Sequence, residues 1–189
     1  MKQGFVKVAA VTPKIVVADT KENTALICAE IKKAEKEGAK IIVLPELCIT
    51  GYTCSDLFLQ EKMLREARQS LLEIAAFTFA LDCIVFVGLP LEYNGKLYNV
   101  AAAVSNGKVL GFVPKTYLPN YNEFYEARYF TSGEHVDGTV HIDREAYKER
   151  YDSDFDDVEF DIEMTSFDEF EELEEIDDED FGGEDFDDE

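Results

Sequence analysis

The chain has 189 residues, of which 46% are hydrophobic, and its formal net charge at pH 7 is −23. This length accommodates one ordinary domain, with or without an appended segment. The excess of acidic side chains excludes nucleic acid as a partner, because binding to phosphates requires clustered Lys and Arg. The same excess argues against binding to an anionic membrane surface.

The negative charge is confined to the last part of the sequence. Residues 1–133 contain 15 basic and 14 acidic side chains, a net charge of +1, whereas residues 134–189 contain 3 basic and 27 acidic ones, a net charge of −24. We therefore predict a nearly neutral folded domain over residues 1–133 and a separate acidic segment over residues 134–189.

The ends and the cysteines predict a cytoplasmic protein without a cofactor. Lys7, Pro13 and Lys14 interrupt the apolar N-terminus before it could form a signal-peptide core or a membrane span. The cysteines lack C-x-x-C spacing, which is typical of reduced thiols in a cytosolic protein. Both histidines lie beyond residue 133, so we expect no metal site. The four cysteines are Cys28, Cys48, Cys54 and Cys83.

The neutral part predicts the element order β-α-β-α-β-β-β, a mixed sheet with helices on one face. Continuous apolar runs indicate buried strands, and apolar residues at helical spacing indicate the two helices. Asp19 and Glu22 stand at capping-box spacing before the first helix. The predicted strands are Phe5–Val11, Lys40–Leu44, Cys83–Leu89, Leu97–Ser105 and Lys108–Val113, and the predicted helices are Thr20–Glu37 and Asp56–Ala80.

Two Asn-Gly pairs separate the last three predicted strands. Asn94-Gly95 and Asn106-Gly107 each supply two residues that tolerate positive φ, as a tight type I′ hairpin turn requires. We therefore predict a three-stranded antiparallel meander over residues 83–113.

The composition changes from Glu134 onward. Val136–Arg150 has the pattern of a short strand or helix, and from Tyr151 Asp and Glu alternate with single Phe, Leu and Ile residues. Such alternation is typical of disordered interaction segments. We predict that residues 151–189 are mostly disordered, with a marginal helix over Ser166–Ile176 as the alternative.

Two of the predicted strands end in Pro followed by an ionisable residue, in Pro45-Glu46 and in Pro114-Lys115. Side chains from different strands converge at strand ends in layered α/β folds. A carboxylate and an ammonium brought together there suit proton transfer and stabilisation of a developing oxyanion. The sequence spacing alone is also compatible with Glu46 and Lys115 being ordinary charged residues just outside strands.

Two long strings carry a resemblance to a known family. LPELCITGYTCSDLF (Leu44–Phe58) and PKTYLPNYNEFYEARYF (Pro114–Phe130) resemble the nitrilase superfamily of carbon–nitrogen hydrolases. More narrowly, they resemble the N-terminal glutaminase domains of glutamine-dependent NAD⁺ synthetases, which serve NAD biosynthesis. The resemblance covers about residues 3–133. It implies the first half of an α-β-β-α sandwich and hydrolysis of an amide, glutamine.

The resemblance also implies roles for individual residues. Glu46 matches the general base, Lys115 the residue that stabilises the tetrahedral intermediate, and Glu123 a second glutamate that positions the lysine and the amide. Tyr121 matches a residue that lines the glutamine pocket, and Tyr52, which lies beside the base, is also expected to bind the substrate.

The nucleophilic cysteine of the family has no counterpart. The resemblance places it 50 to 60 residues after the lysine, where this chain reads TSFDEFEELEE, and no cysteine follows Cys83. Cys48 and Cys54 lie close to Glu46 in sequence but match non-nucleophilic cysteines, and nothing near Ser166 would activate its hydroxyl. We therefore expect a glutaminase-type domain that is inactive.

Two alternatives remain open. The chain is a non-catalytic binding or regulatory protein whose acidic tail binds a basic protein, with a homo-oligomer as a further option. Otherwise the segment after residue 133 is not a natural domain and reflects a frameshift, a fusion or a design.

Overall fold

The computed structural model describes residues 4–142 and 160–166. In that part of the chain the elements follow the predicted order, with two further strands at the end. The helices are α1 (Thr20–Lys36) and α2 (Glu61–Phe77), and the strands are β1 (Val8–Ala10), β2 (Ile41–Val43), β3 (Ile84–Tyr93), β4 (Lys96–Ser105), β5 (Lys108–Pro114), β6 (Gly138–Ile142) and β7 (Phe160–Met164).

All seven strands belong to one mixed sheet in the order β1-β2-β3-β4-β5-β7-β6. β1, β2 and β3 are parallel to one another, and β3, β4 and β5 form the predicted antiparallel meander. β7 lies parallel to β5 and antiparallel to β6. Consequently β2, β3, β5 and β7 all run in the same direction and end at the same edge of the sheet. We call this edge the site edge.

Local sequence signals explain the first helix and both hairpins. The Asp19 carboxylate accepts a hydrogen bond of 3.0 Å from the Glu22 backbone N–H, as the cap spacing predicts. Both residues of each Asn-Gly pair have positive φ, from +47° to +79°, which confirms the two tight turns.

The second helix is shorter than predicted. A 3₁₀ turn over Ser55–Leu59 precedes α2, and Gln60 between them is extended (φ −91°, ψ 123°). Phe58 of this turn is buried in a small apolar cluster apart from the main core. Phe58 falls at a position that continues the apolar spacing of α2. The sequence pattern therefore does not reveal the break between the 3₁₀ turn and the helix.

One face of the sheet is covered by both helices. Ile27 and Ile31 of α1 and Leu71 of α2 are fully buried against it, together with alternate strand residues such as Val85 and Val104. The alternation is the expected one for a sheet with a single buried face. This confirms the mixed sheet with helices on one side.

The opposite face of the sheet has no covering element in the described part of the chain, and we call it the open face. The register of the strands places apolar residues side by side on the open face, where Val8, Val43 and Ile84 remain exposed. Its members are Val8, Ala10, Ile41, Val43, Ile84, Phe86, Ala101, Ala103 and Val113.

The sheet continues beyond residue 133, the predicted end of the folded domain. β6 falls within the stretch where a short strand or helix was predicted. β7 corrects the prediction of disorder for residues 160–164: Ile162 and Met164 are buried, so their apolar alternation is that of a strand in a sheet rather than of a disordered segment. Residues 143–159 and 167–189, which include all but the first residue of the predicted helix Ser166–Ile176, lie outside the described residues, and the boundary at 133 stays a prediction.

The described helices are too short or too polar to cross a lipid bilayer.

Candidate active site

Glu46 and Lys115 meet at the site edge. Glu46 follows β2 and Lys115 follows β5, and the two strands run in the same direction. The Lys115 backbone N–H still pairs with the Asn99 carbonyl at 2.8 Å, so Lys115 continues the alternation of β5 and shares the open face with Val113. The ends of parallel strands therefore bring together two residues that lie 69 positions apart.

The Lys115 ammonium bridges two carboxylates. Its Nζ lies 2.7 Å from Glu46 Oε1 and 2.9 Å from Glu126 Oε1. The Asn99 amide also donates to Glu46 Oε1, and the Tyr52 hydroxyl donates to Glu126 Oε1 at 2.6 Å. These five side chains form one hydrogen-bonded network, which we call the lysine network.

The two carboxylates differ in their exposure. Glu126 is only 4% exposed, whereas Glu46 is 40% exposed and Lys115 29%. Glu126 Oε2 is buried and has no hydrogen-bond partner among the described residues. A buried carboxylate depends on its donors, and those of Glu126 are Lys115 and Tyr52, both at Oε1.

Glu123 does not contact Lys115 in the described structure. The carboxylate at hydrogen-bond distance belongs to Glu126, three residues further on, while Glu123 is exposed and lines a small cavity beside Tyr52 and Glu126. Residues 126–128 form a single 3₁₀ turn, and the turn places Glu126 inward. The role predicted for Glu123 stays a prediction.

The two predicted substrate-binding tyrosines lie in different surroundings. Tyr52 is a member of the lysine network, whereas Tyr121 is 64% exposed and contacts Phe124 edge-on, with ring centroids 5.6 Å apart. Tyr52 contacts the same Phe124 ring at 6.4 Å. One aromatic side chain thus links the two tyrosines, and their role in binding stays a prediction.

The electrostatics keep Lys115 charged. Burial by itself lowers the Lys115 pKa, but its hydrogen bonds to Glu46 and Glu126 outweigh burial, so the pKa is raised above its ordinary value. Burial, and then the hydrogen bond to Glu126, raise the pKa of Tyr52. At neutral pH the site therefore holds an ammonium and a neutral phenol.

A strained turn presents Glu46. Leu47, which follows it, has φ +50° and is completely buried in the small apolar cluster around Phe58. The backbone of Glu46 and Leu47 crosses directly over Gly88 of β3, where a Cβ atom would collide with the Leu47 nitrogen. Burial of Leu47 and the absence of a side chain at Gly88 together hold the turn against the sheet.

A cavity of about 570 Å³ opens beside the lysine network. Its walls come mostly from the open face, and its polar lining includes Glu46, Asn99 and Lys115 of the lysine network. An apolar cavity with a few convergent polar groups is the usual form of a small-molecule site. The described residues contain no cluster of His, Cys, Asp and Glu that could hold a metal ion.

The cysteines near Glu46 do not act as nucleophiles in this geometry. The Cys48 thiol is buried against the Gly88 carbonyl at 3.7 Å, and burial raises its pKa to about 11. The Cys54 thiol donates to the Thr50 and Gly51 carbonyls, and burial raises its pKa as well. Because the thiolate is the reactive form, both are inert at neutral pH.

Ser166 is 1% exposed, and its Oγ has no hydrogen-bond partner among the described residues. Ile162 and Met164, two and four residues before it, face the helices, so the alternation of β7 directs Ser166 to the helix side of the sheet. It is therefore separated from the lysine network by the sheet itself.

Sequence reasoning missed Asn99 and Glu126. Asn99 is a buried polar residue in the otherwise apolar run LYNVAAAVS, a pattern that marks a position with a specific partner. Glu126 belongs to the motif string that carried the resemblance, but the string contains two glutamates and does not tell which one turns inward.

The comparisons with known proteins agree with this geometry. The family profile of carbon–nitrogen hydrolases matches residues 7–145. The chain is 37% identical over 141 residues to the glutamine-dependent NAD(+) synthetase of Mycobacterium tuberculosis, covering 75% of this chain and 21% of that protein. It is 42% identical over 118 residues to the synthetase of Aquifex aeolicus, covering 62% of this chain and 20% of that protein.

Solved structures show the same fold. The glutamine-dependent NAD(+) synthetase from Cytophaga hutchinsonii superposes with a TM-score of 0.71 at 31% identity, over 84% of this chain and 25% of that one. An amidase from Nesterenkonia sp. superposes with a TM-score of 0.58 at 24% identity, over 71% of this chain and 51% of the amidase. The chain thus spans about a fifth of the length of the curated relatives it matches.

Proposed function

Because this chain belongs to the carbon–nitrogen hydrolase family, we propose that the lysine network binds the carboxamide of glutamine and that the wild-type chain does not hydrolyse it. The observation that supports this most directly is the Lys115 ammonium held between Glu46 and Glu126 beside the open cavity. The narrower choice of glutamine rests on the similarity to the synthetases.

The polar groups of the network match both ends of a carboxamide. The ammonium of Lys115 donates to the carbonyl oxygen and would stabilise negative charge that develops on it. Glu46, which lines the cavity, can accept from the NH₂ group. Glu46 is the more exposed carboxylate and is the group that would take a proton from an attacking nucleophile.

The proposed inactivity follows from the missing thiol. Amide hydrolysis by this route needs a nucleophile that forms an acyl intermediate, which water then releases. Cys48 and Cys54 are buried, bonded to backbone carbonyls and hard to ionise. Binding without turnover is therefore the expected property of the chain.

Ligand-observed NMR with glutamine and glutamate tests this proposal. We expect saturation transfer to glutamine but not to glutamate, because a carboxylate lacks the NH₂ donor and is repelled by Glu126. Lys115→Met should abolish the signal, whereas Lys108→Met at the other end of β5 should preserve it. Absence of a glutamine signal would refute the binding, and ammonia release above the buffer rate would refute the inactivity.

The alternative of a basic protein partner depends on the acidic segment 134–189, most of which lies outside the described residues, and it stays a prediction.

A further inference from the structure

The lysine network has a base and a cation but no nucleophile among its five side chains, and a hydroxyl or thiol that serves it would lie on the open face at the site edge. β7 is the neighbour of β5 and runs parallel to it, so it ends at the same edge as Lys115. The sequence after β7 reads Thr165-Ser166. Two hydroxyls therefore stand at the correct edge, and the register decides which of them faces the site.

The register places Thr165 on the open face. Met164 pairs with Phe112, and both side chains are buried on the helix side. The Thr165 N–H donates to the Phe112 carbonyl at 3.2 Å, so the extended pairing continues to Thr165. Successive side chains alternate between faces, and Thr165 therefore lies beside Val113, which lines the cavity.

The spacing of a regular sheet gives the separation between Thr165 and Lys115. Adjacent strands lie about 4.8 Å apart, and two residues along a strand span about 6.6 Å. Lys115 is two residues beyond Val113 on the same face, so the Cα atoms of Thr165 and Lys115 are about 8 Å apart on this lattice.

We propose that Thr165 occupies the nucleophile position of this site. The proposal rests on the proposed function, since it names the residue that faces the bound carboxamide carbon. A hydroxyl is a weak nucleophile unless a base activates it, so a threonine at this position agrees with the proposed binding of an amide without cleavage. Thr165 is half-buried and Ser166 is fully buried on the other side of the sheet.

Thiol substitution at the two neighbouring positions tests the placement. The Thr165→Cys and Ser166→Cys variants are treated with iodoacetamide at pH 7, and each thiol is followed by peptide mass spectrometry. We expect the thiol at position 165 to react at least tenfold faster than the one at position 166. The native thiols serve as internal standards, because burial raises the pKa of Cys28 and Cys48 to about 11.

A second substitution distinguishes the effect of the Lys115 ammonium on the thiol at position 165 from the effect of solvent exposure alone. In the Thr165→Cys background, Lys115→Met should slow alkylation at least threefold, because an ammonium nearby favours the thiolate. Lys108→Met, which removes an exposed charge at the opposite end of β5, should have no effect. Equal reactivity at positions 165 and 166, or no dependence on Lys115, would overturn the placement of Thr165.

Protection from alkylation distinguishes this inference from the proposed function. Glutamine should slow alkylation of the Thr165→Cys variant, and glutamate should not. Lack of protection together with an intact dependence on Lys115 would refute glutamine binding and would still support the placement of Thr165.

Discussion

Lys115 illustrates at the scale of a residue how an ammonium is held between two unequal carboxylates. Glu126 is buried and depends on Lys115 for charge compensation, whereas Glu46 is exposed to solvent and receives a further hydrogen bond from Asn99. The chain offers a matched contrast in the pair formed by Arg128 and Asp56, which is mostly exposed.

We predict that Lys115→Met destabilises the fold by about 3 kcal/mol at pH 7, because it leaves the buried Glu126 carboxylate without a cation. Arg128→Met should cost less than about 1 kcal/mol, since exposed pairs contribute little. Urea unfolding measures both. An equal loss of unfolding free energy in the two variants would show that the burial of Glu126 is unimportant. Combining Lys115→Met with Glu126→Gln should recover most of the lost free energy, because it removes the unpaired buried charge.

The stabilisation from Lys115 should also depend on pH. The pKa of Lys115 is raised in the folded state. Its contribution to the free energy of unfolding is therefore complete below the pKa of the unfolded chain, about 10.4, and is lost as the pH rises through the pKa of the folded state. The difference in unfolding free energy between wild type and Lys115→Met should therefore be constant near neutrality and shrink above about pH 10.5. A difference that already shrinks between pH 7 and 9 would contradict this origin.

At the scale of an element, the turn after β2 is supported by the strand beneath it. Glu46 reaches the lysine network only because its own backbone lies directly on Gly88 of β3. Gly111 of β5 is a suitable comparison, since a Cβ there would meet only the Glu163 carbonyl at an ordinary 3.4 Å.

We predict that Gly88→Ala destabilises the chain by about 2 kcal/mol, in the range of overpacking, and displaces Glu46. Gly111→Ala should change stability by less than about 1 kcal/mol, the usual size of a tolerated substitution. Thermal unfolding measures the change in stability of both variants, and glutamine binding by NMR reports the displacement of Glu46 in Gly88→Ala. If Gly88→Ala retains both stability and binding, the close approach of the turn is not needed for the site.

At the scale of the whole molecule, an apolar sheet face and a strongly negative chain coexist. The open face would favour association through its apolar residues, whereas a net charge of −23 opposes association by repulsion between chains. The balance should shift with pH, since the charge approaches zero near the sequence pI of about 4.3.

We predict that the chain stays monomeric at pH 7 in low salt and associates as the pH is lowered toward 4.3. Light scattering during the titration measures this. Val8→Thr and Val43→Thr keep the side-chain shape on the open face, add a hydroxyl, and should reduce the association. Association that is unchanged in these variants would assign it to another surface.

The sequence by itself determined the features that depend on neighbouring residues. Asp19 capped a helix and two Asn-Gly pairs closed hairpins because these residues act on the backbone within a few positions of themselves, and the motif strings around Glu46 and Lys115 identified the family. The tertiary structure alone decided which residues meet. It brought Glu126 rather than Glu123 to Lys115, added Asn99, and set Thr165 and Ser166 on opposite faces, because strand register and a single turn of chain determine where a side chain points.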